Sequence, residues 1–131
     1  MAGDGLTKER GVAGARILIV EDDALLALDL KGHMERAGFS VIGPAASASK
    51  ALELLAQTGC DAAILDVHLG RGQTSEPVAL QLRSRGTPFV TVTAYSHEHR
   101  PEAYSGFPAL SKPVRVPDIL AELRRCLSMM R

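Results

Sequence analysis

The sequence predicts an α/β domain, a doubly wound five-stranded parallel sheet with helices on both faces and a short or irregular fourth helix. Three observations lead there. Short apolar runs, "RILIV" (16–20), "AAIL" (62–65) and "FVTVT" (89–93), suit strands buried on both faces. The segments between them place apolar residues at helical spacing. At 131 residues the chain is one domain by length, large enough for a single core.

The elements follow in order. Residues 1–15, "MAGDGLTKERGVAGA", lack a hydrophobic segment of secretory type and read as a flexible extension, leaving 16–131 as the domain. The first strand, 16–20, runs into "EDD". In the helix that follows, Leu26, Leu30, Met34 and Ala37 share one face, with Asp23 as its N-cap and Gly38 as its stop. "FSVIG" (39–43) alternates and reads as a peripheral strand. Ser47 opens a second helix with Ala48, Ala51, Leu52 and Leu55 inward. The third strand, 62–65, ends at Asp66.

After the polar loop "GRGQTS", Ser75 caps a third helix carrying Pro77 in its first turn, where a missing N–H costs little, and Gly86 closes it. The fourth strand is 89–93 and the fifth "PAL" (108–110). The stretch between, "TAYSHEHRPEAYSGFP", has few apolar positions at helical spacing, so its helix is short or frayed and that side is expected to be flexible. The last helix, about 117–129, puts Ile119, Leu120, Leu123, Leu127 and Met130 on or near one stripe.

Composition excludes several classes. Fifteen basic residues balance fifteen acidic ones, which removes the footprint of a nucleic-acid binder. No apolar run approaches the roughly 18 residues of a membrane span. Cys60 and Cys126 lack CxxC spacing and clustered histidines, so they read as reduced thiols, and the expected compartment is the cytoplasm.

In an open parallel sheet, ligands bind beyond the carboxyl ends of the strands. Glu21 and Asp22 follow the first strand, Asp66 ends the third, Thr93 ends the fourth and Lys112 follows the fifth. Each has an ordinary structural explanation: a turn-forming acid, a helix cap, a strand threonine, a surface lysine. Their arrival together at one edge does not. Carboxylates a few ångströms apart repel unless a cation joins them. Hard oxygen donors suit Mg²⁺, which uses one or two carboxylates and keeps several waters. With a cation alongside, Asp66 can act as nucleophile toward a phosphoryl group, Lys112 can meet the phosphoryl oxygens with positive charge, and Thr93 can donate a hydroxyl.

In these blocks the chain resembles the bacterial two-component response-regulator receiver domain, of the stand-alone, single-domain type. "ILIVEDD", "DAAILDVHLG", "VTAYS" and "LSKPV" are similar to its acidic, phospho-acceptor, hydroxyl and Lys-Pro blocks, in order and at suitable spacing, over nearly everything after residue 15. The resemblance implies a flavodoxin-like (CheY-like) fold with strand order 2-1-3-4-5. It implies phosphorylation of Asp66 by a sensor histidine kinase or a histidine phosphotransfer protein. Mg²⁺ is then held by Glu21, Asp22, Asp66 and the His68 backbone carbonyl. Thr93 and Lys112 sense the phosphoryl oxygens, and Lys112–Pro113 is cis. "GPAAS", "LDVHLG" and "PVALQLRSRGTPFV" look most like receivers of alphaproteobacterial-type signalling, often partnered by atypical histidine kinases.

One departure stands out. The aromatic residue that receivers commonly carry three positions before the lysine is here Ala109, so coupling cannot run through it; Tyr95 and Tyr104 are the alternatives. His68 is expected at the pocket rim, where it either modulates water access or is idle, and His97 and His99 read as solvated.

The expected function is therefore a single-domain response regulator signalling by protein–protein contact to an unknown downstream protein, as a monomer or weak homodimer. It is not an enzyme beyond phosphoryl acceptance and autodephosphorylation, and no output domain is expected after the last helix. A phosphorelay intermediate or phosphate sink would share the same site. A Mg²⁺-dependent aspartyl-phosphate hydrolase would need a second Asp two residues after the nucleophile, where His68 stands. A flavodoxin-like FMN binder would need a phosphate loop where "EDDALL" is acidic. A pseudo-receiver is disfavoured because the pocket positions are intact.

Overall fold

The computed structural model describes residues 14–94 and 100–129. The expected extension up to residue 13, and Tyr95, His97, His99 and Met130, lie outside the described residues. Gly14 and Ala15 are already part of the fold: Gly14 N–H donates to Gly38 O, Ser40 N–H donates to Ala15 O, and Ala15 is buried.

Five strands form one parallel sheet in the order β2-β1-β3-β4-β5, comprising β1 (Arg16–Val20), β2 (Ser40–Ala45), β3 (Ala62–Asp66), β4 (Phe89–Thr93) and β5 (Ala109–Ser111). The helices are α1 (Ala24–Arg36), α2 (Ala48–Thr58), α3 (Glu76–Ser84) and α4 (Val116–Met129). Between β4 and β5 the described residues hold a single 3₁₀ turn, Glu102–Tyr104. Among the described residues, this one turn stands where a short or irregular helix was expected.

Side-chain alternation along β1 divides the core. Ile17 and Ile19 pack with Met34, Ile64, Val90, Ile119 and Leu123 beneath α1 and α4. Leu18 and Val20 pack with Leu55, Leu65, Leu82, Phe89 and Tyr104 beneath α2 and α3. Each such side chain, withdrawn from water, contributes about 1.5–3 kcal/mol.

Most boundaries agree with the sequence to within one or two residues. Asp23 caps α1, its carboxylate accepting from Leu25 and Leu26 N–H at 3.0 and 3.1 Å. Ser47 caps α2 through Lys50 N–H. Two readings need correction. β2 continues past residue 43 to Ala45, through a cis Gly43–Pro44 bond and a register shift opposite β1. Gly43 has φ 92°, and a Cβ there would lie 2.8 Å from Ala45 N, so only glycine fits. Leu26 is not a core residue but about half exposed, while Ala27 is buried beside Met34. Ser75 holds the N-cap position of α3 as expected, but its hydroxyl makes no capping bond; Thr74 Oγ1 accepts from Glu76 N–H.

Candidate functional site

The residues that follow the strands meet at the carboxyl edge of β1, β3 and β4. β1 delivers Glu21 directly beyond its last residue, with Glu21 N–H bonded to Ala45 O of β2. Because Asp23 is occupied with capping α1, Asp22 is left for the edge. Asp66 is the last residue of β3, paired in register with Val92. Carboxylate oxygens of Glu21, Asp22 and Asp66 all lie within 4.8 Å of one another. Glu21 and Asp66 are buried, and Asp22 is exposed.

A single ammonium closes this group. Lys112 Nζ lies 2.8 Å from Asp66 Oδ2 and 3.5 Å from Glu21 Oε1. The lysine is placed by its own backbone, whose N–H donates to Thr93 O at 2.8 Å, and by the cis Lys112–Pro113 bond that follows. Thr93, buried at the end of β4, is thereby tied to Lys112. Glu21, Asp22, Asp66 and Lys112 are thus gathered at one edge, with Thr93 joined to Lys112 through its backbone carbonyl.

The electrostatics reflect crowding. Burial, opposed by the Asp23 N–H bond and reinforced by the neighbouring Asp66, pushes Glu21 up to about 7. Burial alone would lower the Lys112 ammonium, but the bond to Asp66 and the charges of Asp66 and Glu21 leave it above the ordinary lysine value. Lys112 meets two of the three acids, Glu21 and Asp66, so among the described residues the cluster holds more negative than positive charge.

That imbalance fits a divalent cation. The donors are hard carboxylate oxygens at the spacing one small ion can bridge. The loop after β3 also leaves space on the Asp22 side: Gly70 has φ 78°, and a Cβ there would come 3.1 Å from Asp22 Oδ2. His68 is half-buried in the same loop and bridges Thr74 through its backbone.

Sequence reasoning missed a cavity of about 450 Å³ beside the cluster, between α1 and the start of α4. Leu26, Leu30, Val92 and Ile119 line it, and Asp66 and Lys112 contribute to its wall. The helical pattern of α1 gave no sign of it, because whether Leu26 meets a partner depends on where α4 begins. Among the described residues no helix is long and apolar enough to cross a membrane.

Comparison with known proteins points to one family. The model of the response regulator receiver domain family matches residues 17–124. The transcriptional regulatory protein PdtaR of Mycobacterium tuberculosis is 28% identical over 119 residues, covering 88% of this chain and 58% of that protein. The phyllosphere-induced regulator PhyR of Methylorubrum extorquens is 30% identical, covering 85% of this chain and 43% of its own length. The chain therefore spans about half the length of the curated relatives it matches.

Among solved structures, SdrG of Sphingomonas melonis is 36% identical with a TM-score of 0.72, covering 87% of this chain and 96% of that one. A Francisella response regulator receiver domain shares the fold at a TM-score of 0.76 with 21% identity, covering 89% and 99% of the two chains. The chain belongs to the response regulator receiver domain family.

Proposed function

We propose that this receiver domain accepts a phosphoryl group on Asp66 from the phosphohistidine of a sensor histidine kinase or a histidine phosphotransfer protein, and signals through protein–protein contact. The observation that carries this reading is the meeting of Glu21, Asp22 and Asp66 within 4.8 Å, with the Lys112 ammonium 2.8 Å from Asp66.

An Asp66 carboxylate oxygen attacks phosphorus, an acyl phosphate P–O bond forms, and the P–N bond to the donor imidazole breaks, its electron pair leaving with the ring nitrogen. Lys112 balances charge on the phosphoryl oxygens and Thr93 offers them its hydroxyl. Glu21, Asp22, Asp66 and the His68 carbonyl would hold Mg²⁺, which offsets the negative charge that otherwise keeps donor and acceptor apart. Loss of the group is attack of water on the acyl phosphate, an intrinsic reaction and not turnover of an external substrate. The chain works in the cytoplasm, where such donors are found.

Incubation with Mg²⁺ and a small phosphodonor, followed by intact mass, tests the chemistry. The wild type gains one phosphoryl mass, and Asp66→Asn gains none. A wild type that stays unmodified, or a variant that is still labelled, overturns the reading.

A further inference from the structure

Ser75 sits where a serine hydroxyl would ordinarily cap α3, yet its side chain makes no capping bond. Ser75 Oγ lies instead 3.1 Å from Tyr104 Oη, with both residues fully buried. Buried hydroxyls need partners, and water cannot reach in to replace a lost one. The backbone of Ser75 also closes the loop that starts at the acceptor: Ser75 N–H donates to Val67 O and Val67 N–H to Val92 O, each at 3.0 Å. Asp66 therefore connects to Tyr104 through one covalent step and two hydrogen bonds.

Tyr104 belongs to the 3₁₀ turn between β4 and β5, and the segment around it is held at several further points. Arg83 of α3 donates to Ser105 O and stands 5.6 Å from the centre of the Phe107 ring. Arg100 donates to the buried Thr91 Oγ1 at 2.9 Å. Ala109 is exposed and carries no ring that could move inward.

We propose that the Ser75–Tyr104 hydrogen bond is the contact that transmits the phosphorylation state of Asp66 to the outer surface of residues 100–107. The inference rests on the phospho-acceptor reading of Asp66 and names the element that reads it. A phosphoryl group adds charge and oxygen acceptors at the head of the loop that Ser75 closes. Burial raises the Tyr104 hydroxyl above the usual phenol range, with the hydrogen bonds from Ser75 and Thr74 opposing the push and the charges of Glu76 and Asp66 adding to it. Displacing Ser75 breaks a hydrogen bond of a fully buried phenol whose other side-chain partner, Thr74, lies in the same loop, and the turn shifts with it. The two states differ by that bond: made, the turn is held; broken, it is released.

Tyr104→Phe keeps the buried ring and removes the hydroxyl, and Ser75→Ala removes the other half. Each variant is loaded with a small phosphodonor and Mg²⁺, loading is measured by intact mass, and hydrogen exchange of 100–107 is compared between loaded and unloaded protein. In the wild type, loading changes exchange about fivefold or more. In either variant loading persists, but the loaded and unloaded forms exchange alike, and the double variant adds nothing. A merely structural hydroxyl would speed exchange in both forms and keep their ratio. That result, or a wild-type ratio in Tyr104→Phe, overturns the inference while leaving Asp66 as acceptor. A wild type that takes no phosphoryl mass removes the acceptor reading and this inference together.

Discussion

The two faces of the sheet are closed in different ways. On one, α1 and α4, of 13 and 14 residues, lie over Ile17, Ile19, Val90 and Val92, yet they leave a cavity of about 450 Å³ next to Asp66. On the other, α2 and α3 are shorter, at 11 and 9 residues, and a three-residue 3₁₀ turn completes the cover. There Tyr104 and Phe89 are fully buried, Phe107 stacks on Phe89 at 4.2 Å, and polar side chains tie the turn down. Helix length does not by itself close a core. A three-residue turn can bury an aromatic ring and pair its hydroxyl, while two longer helices leave space beside the acidic cluster.

Large-to-small substitutions break or sharpen this contrast. Leu82→Ala, in the filled face, is expected to lower unfolding free energy by about 3–5 kcal/mol. Ile119→Ala, on the wall of the cavity, is expected to cost about 2–3 kcal/mol, because its neighbours already lack partner atoms on one side. Equal losses in chemical denaturation would show the two faces to be packed alike.

A pH effect follows on the open side. Glu21 has a folded value of about 7 against 4.5 for an ordinary glutamate, so the folded state binds more protons between the two. Its contribution is fully present below about 4.5 and is lost as pH rises through about 7. The metal-free protein should therefore gain on the order of 2 kcal/mol from this group when acidified from pH 8 toward 5. Thermal unfolding of wild type and Glu21→Gln across that range checks the sign: the substitution should flatten the slope. Saturating Mg²⁺ should also suppress it, because a bound cation keeps the carboxylate ionised.

Smaller effects test the polar moorings. Arg83→Ala removes a bond to Ser105 O and the contact with Phe107, and is expected to cost about 0.5–1 kcal/mol, with faster exchange at 100–107. Least of all, Leu25→Ser and Leu28→Ser on α1, at 80% and 65% exposure, should change stability by less than about 0.5 kcal/mol. A larger loss would mean that α1 packs more deeply than its exposure indicates.

Residue patterns alone went far at the strand tips. The runs at 16–20, 62–65 and 89–93 lie in one parallel sheet, so topology carries the residues at their carboxyl ends to the same edge. Asp23 and Ser47 were legible as caps because a cap bonds within its own turn. Ser75 looked the same in sequence and behaves otherwise, because its partner Tyr104 lies 29 residues away. Leu26 likewise fits the helical stripe and yet faces a cavity, since its exposure is set by α4.

By itself, then, the sequence determined four of the five strands to within a residue, the helix starts, and the acids and lysine that crowd one edge. These depend on periodicity, local hydrogen bonding and the rule that parallel strands share a carboxyl end. Only the tertiary structure decided how closely the carboxylates crowd, which hydroxyl partners the buried tyrosine, and which face is left open. Those outcomes are set by side chains distant along the chain competing for the same space and the same hydrogen bonds.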